Sequence, residues 1–245
     1  MFTMMNNARL GVGCQGIGSA EGAYQHALAY ALERKQGRTP GKETGTIIEH
    51  ADVRRMLMTM KADIFAARAI ALSCAVSIDM GKATGDAEWN ARAALLTPIA
   101  KAFGTDIGNE VSQMGLQVHG GMGVIEETGA AQYARDVRVT AIYEGTNGIQ
   151  AMDLVARKMM DGGEAAMRLI DEMESQTEKA RATMPDLAEH VWHAAETLRE
   201  TTEWLVEQGD MTDRFAGAVP YLRGFARVLG AHFHLSAALA APDGP

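Results

Sequence analysis

Apolar residues recur at intervals of three and four along most of the chain, the spacing of one face of an α-helix. Between Asp52 and Lys82 the positions Val53, Met56, Leu57, Met60, Ile64, Ile70, Cys74 and Ile78 keep that rhythm. They predict a helix of about 30 residues, some 45 Å long. A first helix is predicted from Asn7 to Arg34, and a third from Asp86 to Gln117 with Pro98 inside it as a place for a bend. The connector Gln36 to Thr46 is rich in Gly, Thr and charge and reads as a loop. A fourth helix follows the turn Glu144-Gly145-Thr146. Few segments read as strands, so the expected class is all-α, with long helices folded back on one another as a four-helix bundle.

Beyond residue 163 the pattern changes scale. Met167, Ile170, Met173, Thr177 and Ala180, then Leu187, Val191, Ala194, Leu198 and Leu205, mark shorter amphipathic helices separated near Pro185. Val219, Leu222, Phe225, Leu229 and Phe233 mark a last one. The chain of 245 residues carries a net charge of −8, and the segment 161–210 alone holds 13 acids against four bases. That step falls beside Asp161-Gly162-Gly163, which places a boundary there: a bundle over 1–162 and a smaller acidic helical module over 163–245.

The acidic balance argues against a broad nucleic-acid or anionic-membrane surface. No run approaches the roughly 20 apolar residues that span a bilayer, and Met1-Phe2-Thr3-Met4-Met5 lacks the features of a signal peptide. A soluble, cytoplasmic protein is expected. Cys14 and Cys74 lie in apolar stretches without a CxxC or His-rich partner and read as small core residues. The 16 methionines read as core filling.

Several motifs that look chemical have plainer readings. Gly11-Val12-Gly13-Cys14-Gln15-Gly16 matches G-x-G-x-x-G, but no strand precedes it, and close helix packing explains the glycines better. Gly37 to Lys42 is one residue short of a phosphate loop and is followed by Glu43. His190 and His193 lack the intervening Glu of HExxH and read as surface histidines, and His232 and His234 point to different sides of a helix. No metal site is expected.

One constellation remains. Over 113–152 a helix ends in Gly120-Gly121-Met122-Gly123, a short helix ends in Arg135-Asp136, and a loop carries Tyr143-Glu144-Gly145-Thr146 into a new helix. A carboxylate beside glycine, after the apolar run Val139 to Ile142, is placed to face a closed site, where burial would suit it to act as a general base.

These residues resemble the flavin-dependent acyl-CoA dehydrogenases. The resemblance rests on Gln117-Val118-His119-Gly120-Gly121-Met122-Gly123, on Arg135-Asp136, and on Ile142-Tyr143-Glu144-Gly145-Thr146-Asn147-Gly148-Ile149-Gln150. Asn7-Ala8-Arg9, Leu32 to Arg38 and Ile47 to Val53 extend it in the same order. It covers residues 1 to about 160, the family's C-terminal four-helix domain, and the acidic remainder resembles the helical extension of a larger-subunit branch. The resemblance implies that Glu144 takes the α-proton of an acyl-CoA thioester while the β-hydrogen leaves as hydride to the flavin, giving a trans-2-enoyl-CoA. It implies that the Glu144 N–H and a flavin hydroxyl polarise the thioester carbonyl. Thr146 and Asn147 would face polar parts of FAD, and Gln117, Gly120 and Gly121 its adenosine and pyrophosphate. Arg34 and Gln36 would reach the FAD of a neighbouring subunit in a homodimer or larger homo-oligomer. Arg9 would lie near the CoA moiety and Tyr143 beside the substrate.

The electron acceptor would be a protein such as electron-transfer flavoprotein. The plainer roles of these side chains are helix capping for Glu144, intramolecular ion pairs for Arg34 and Arg135, and a solvated Arg9. Counterparts of the family's N-terminal helical domain and central β-domain are not recognised in the sequence. The chain is therefore expected to be the C-terminal part of a longer enzyme that alone neither holds FAD tightly nor turns over acyl-CoA. The rival reading is a non-catalytic helical scaffold or oligomerisation module.

Overall fold

A computed structural model describes residues 2–241, with side chains from residue 7 onward. The helices are α1 (Phe2–Glu33), α2 (Ala51–Thr84), α3 (Ala87–His119), α4 (Ala130–Val137), α5 (Asn147–Arg157), α6 (Glu164–Ala180), α7 (Pro185–Glu207) and α8 (Met211–Ala240), so the protein is all-α. Among the described residues there is no strand, only an isolated antiparallel bridge between Lys35 and Thr46. The three long helices start and stop within a few residues of the hydrophobic pattern, because the punctuation is local. Gly85 ends α2 in the left-handed conformation at φ 72°, and the Asp86 carboxylate accepts from Glu88 N at 2.8 Å to start α3.

α1, α2 and α3 pack on one another, and the seam between α1 and α3 is made of glycine. A Cβ on Gly16 would lie 2.5 Å from the Gly104 carbonyl oxygen, and one on Gly13 2.7 Å from that of Ala100. Gly13 and Gly16 of the apparent dinucleotide motif therefore serve backbone approach, as helix packing requires, whereas Gly11 faces open space.

The fourth bundle helix is short. α5 has 11 residues and is covered by α8, which also packs against α2 and α3. One hydrophobic core consequently runs across residue 162, from Ile17 and Ile70 through Phe103 and Leu154 to Ile170 and Phe225. Gly162 and Gly163 both take positive φ there, and Asp161 accepts from Gly163 N at 2.9 Å and from Ala165 N, in the first turn of α6, at 3.2 Å. α8 begins eight residues before the expected Val219, because Asp210 accepts from Thr212 N at 2.7 Å and starts the helix ahead of its apolar stripe.

Three expectations are corrected. Cys14 is exposed, since Val12, Gly13, Gly16 and Ile17 take the inward face of α1, whereas Cys74 is buried and its thiol is pushed up to about 11 by burial. Met56, Met60, Met159 and Met173 fill the core, but Met58 and Met160 lie on outer faces at 71% and 83% exposure. Finally, α2 is long and apolar enough to cross a membrane by length and composition, although 44% of its most apolar window is buried inside the fold.

Candidate active site

The chain enters α5 through a sharp reversal. Glu144 is the one non-glycine residue with positive φ among the described residues, at 55°, and Gly145 follows at 86°. A left-handed non-glycine costs about 1–3 kcal/mol and persists only where its surroundings over-determine it.

Here they do, from beneath. Lys101 of α3 is fully buried, and its Nζ donates to the Gly145 carbonyl and to Asn147 Oδ1, both at 2.9 Å. Gln150 Nε2 donates to the carbonyls of Glu144 at 3.2 Å and Gly145 at 3.3 Å. Asn147 Nδ2 in turn donates to Asp106 Oδ1 at 2.6 Å and to Thr105 Oγ1 at 2.9 Å. Burial pushes the Lys101 ammonium down to about 8, against the pull of Asp106 and Glu144, and it raises the Asp106 carboxyl against its bond from Asn147.

Asn147 therefore faces inward, and its amide is spent on the turn instead of being turned toward a cofactor. Thr146 caps α5 by accepting from Ile149 N at 3.4 Å. Lys101 and Gln150 were not singled out in the sequence. The signal for Lys101 was a lone charge in the apolar run Ile99-Ala100-Lys101-Ala102-Phe103, on the buried side of its helix.

The Glu144 side chain is exposed, so the expected burial is not provided by this chain: the turn projects from the bundle and the bracing lies on its inner side. Among the described residues the Glu144 N–H donates no hydrogen bond. Exposed apolar side chains flank it, Ile142 at 51% and Ile149 at 49%. Tyr143, beside it, donates its hydroxyl to Gln15 Oε1 of α1. Arg9 is not solvated: its Nη1 donates to Asp153 Oδ2 of α5 at 3.0 Å, both side chains buried.

A second feature lies at the far end of α1. Arg34, Gln36, Gln117, Gly120 and Gly121, scattered in the sequence, line one cleft of about 540 Å³ together with Tyr30, His50 and His119. The connector is held for this by His50, whose Nε2 bonds the Gln36 carbonyl at 2.8 Å. The cleft's polar groups are underused. Arg34 makes no ion pair among the described residues, only a 3.1 Å bond to Gln36 Oε1. A Cβ on Gly120 or Gly121 would meet nothing, so their backbone is open to approach.

The His119 ring stacks on Tyr30 at 4.4 Å, and its Nδ1 donates to the Gly115 carbonyl at 2.8 Å. Its Nε2 is buried without a partner, and burial lowers the pKa of the ring, so the neutral imidazole keeps an idle acceptor there. A guanidinium, two carboxamides and bare glycine backbone suit the pyrophosphate and adenosine of a dinucleotide. Thr146 is not part of this cleft, and Arg135 lies outside it, paired with Glu126 at 3.6 Å.

Comparison with known proteins supports one assignment. Residues 1–160 match the acyl-CoA dehydrogenase C-terminal domain family, and residues 169–244 match a family described as acetyl-CoA dehydrogenase C-terminal like. The chain is 41% identical over 234 residues to 3-methylmercaptopropionyl-CoA dehydrogenase of Ruegeria pomeroyi, covering 91% of this chain and 40% of that protein. Its fold matches Caenorhabditis elegans ACDH-11, solved with C11-CoA, with a TM-score of 0.83 at 19% identity over 99% of this chain and 41% of that one. It also matches a Bacillus anthracis acyl-CoA dehydrogenase complexed with FAD, with a TM-score of 0.69 at 19% identity over 98% of this chain and 43% of that one. The chain thus spans about two fifths of the length of these relatives, and it belongs to the acyl-CoA dehydrogenase family, whose C-terminal domain it carries.

Proposed function

We propose that this chain supplies the catalytic base and part of the FAD-binding surface of an enzyme that dehydrogenates an acyl-CoA thioester to the trans-2-enoyl-CoA. The observation that carries the reading is Glu144, held in the left-handed region on a braced turn with its carboxylate directed out of the bundle. Backbone strain kept at such cost marks sites where a side chain must be presented in one direction.

The Glu144 carboxylate accepts the proton from the carbon next to the thioester carbonyl. An unactivated α-proton is too weakly acidic for a carboxylate, so the carbonyl oxygen must be stabilised as charge builds on it, and the unengaged Glu144 N–H is a donor for that oxygen. Ile142, Tyr143 and Ile149 offer an apolar rim on which an acyl chain excludes water from the turn. Arg34, Gln36, Gln117 and the Gly120-Gly121 backbone, which share one cleft of this chain, would together hold the adenosine and pyrophosphate of one FAD, that of a neighbouring subunit in a homodimer. When bound, FAD supplies the acceptor for the β-hydride. An electron-transfer flavoprotein is the acceptor class that would carry the electrons onward. Arg9, paired with Asp153, braces α1 against α5.

The reading is tested in a holoenzyme that contains this chain. Glu144→Gln is expected to bind acyl-CoA nearly as the parent does while abolishing acyl-CoA-dependent bleaching of the flavin's visible absorbance. Normal bleaching by that variant would remove Glu144 from the role of base. Loss of bleaching together with loss of acyl-CoA binding would point to a disrupted site.

A further inference from the structure

We propose that Lys101 is the positioning residue of the Glu144 turn: its buried ammonium, bonded to the Gly145 carbonyl and to Asn147 Oδ1, locks Glu144 in its left-handed conformation. The proposal rests on Glu144 acting as the base for its catalytic meaning, but not for its test.

The argument begins with cost. A lysine with no exposed surface, in a helix whose neighbours Ile99, Ala100, Ala102 and Phe103 are all buried apolar residues, gives up its hydration and must be compensated. Replacement by Met would fill the same space without that penalty. No carboxylate forms an ion pair with it among the described residues; the compensation comes from the acceptors of the turn itself. Hydrogen bonds to a charged group are about twice as strong as neutral ones, and stronger still out of water. The buried charge is thus directed at the two groups that bracket Thr146 and follow Glu144.

The second anchor is built in series. Asn147 presents its carbonyl oxygen to Lys101 and its amide to Thr105 Oγ1 and Asp106, so the cation and the carboxylate of α3 meet through one side chain at the first position of α5. Because Lys101, Thr105 and Asp106 belong to one helix, the turn is fixed against a rigid element. Arg9 of α1 and Glu144 itself are the other charges that act on Lys101. Gln150 adds neutral bonds to the Glu144 and Gly145 carbonyls, the second shared with Lys101, but leaves its own Oε1 without a partner. It is the weaker support.

The test uses the chain as it stands, Lys101→Met as variant, and two readouts taken beside a urea denaturation curve. The first is the backbone chemical shifts of Glu144, which report its left-handed conformation. The second is amide exchange across 144–150, corrected for any change in global stability. The expected result is that the Glu144 shifts move away from their left-handed values and that corrected exchange in this segment rises by about tenfold or more, while the interiors of α2 and α3 keep their corrected protection. Unchanged Glu144 shifts with a uniform loss of protection would overturn the proposal and reduce Lys101 to a general structural group. Should Lys101→Met fail to fold, Asn147→Ala decides by the same readouts: a displaced Glu144 supports the network and an undisturbed one overturns it. A Glu144→Gln holoenzyme that still bleaches its flavin would remove the catalytic meaning of the turn without touching this result, so the two failures are distinguishable.

Discussion

Arg9 Nη1 and Asp153 Oδ2 meet 3.0 Å apart in a buried ion pair that joins α1 to the helix following the Glu144 turn. Removing one partner of such a pair leaves an uncompensated charge, at about 3–5 kcal/mol. Asp153→Ala strands Arg9 and is expected to lower stability within that range; Arg157, 3.4 Å from Asp153, is more than half exposed and adds little. Arg9→Met keeps the apolar stem and should cost less. Urea midpoints of the two variants check this. Equal and negligible losses would mean that Arg9 is not a brace.

The strain at Glu144 gives a prediction of opposite sign. Glycine adopts a φ of 55° without penalty, so Glu144→Gly is expected to stabilise the chain by about 1 kcal/mol while deleting the carboxylate. Glu144→Val, β-branched and poorly suited to the left-handed region, should destabilise it. Thermal melts that rank the three proteins Gly, Glu, Val in falling stability would establish that the chain keeps Glu144 at a cost to its stability. A glycine variant no more stable than the parent would show the turn to be relaxed.

The helix pattern was legible because it is local: the apolar stripes, Gly85, Asp86 and Pro185 act within a turn or two of where they stand. Glu144 was legible as a carboxylate beside glycine at a helix start. What the sequence did not convey was direction. Asn147 stands at the first position of α5, where its amide could face solvent or the bundle, and the choice was settled by Lys101, Thr105 and Asp106 on a helix far away in the chain. The Arg9 ion pair was hidden for the same reason, its partner Asp153 lying on a helix 144 residues away. The length of α8 and its place against α2 and α5 likewise depend on tertiary contacts that a one-dimensional stripe does not hold.

The glycine seam makes a paired prediction. A methyl group on Gly16 would strike the Gly104 backbone, which cannot swing aside as a side chain would, so α1 and α3 must separate. Gly16→Ala is expected to cost about 3 kcal/mol or more. Gly18, two positions on, has nothing within 4 Å of where its Cβ would stand. Gly18→Ala should stabilise the chain by about 1 kcal/mol through helix propensity alone. Denaturation midpoints shifted in the same direction by both variants would contradict the packing of the seam.

The buried Lys101 also leaves a pH signature. Its ammonium titrates at about 8 in the folded chain against 10.5 when solvated. Between those values the unfolded chain carries more protons at this site than the folded one, so the site's contribution to stability rises with pH across the window. Below about pH 8 both states are protonated, and the cost of burying the charge is constant. The Lys158 ammonium, also lowered by burial, adds to the rise, and two thiols oppose it, Cys74 raised by burial and the exposed Cys14 by partial desolvation. All three remain in Lys101→Met, so they cancel when the variant is subtracted from the parent. The difference in unfolding free energy between parent and variant, measured in urea at a series of pH values, is therefore expected to shift steadily in the parent's favour from about pH 8 to 10.5. A flat difference would mean that Lys101 keeps its solution pKa and that its charge is fully compensated by the turn it holds.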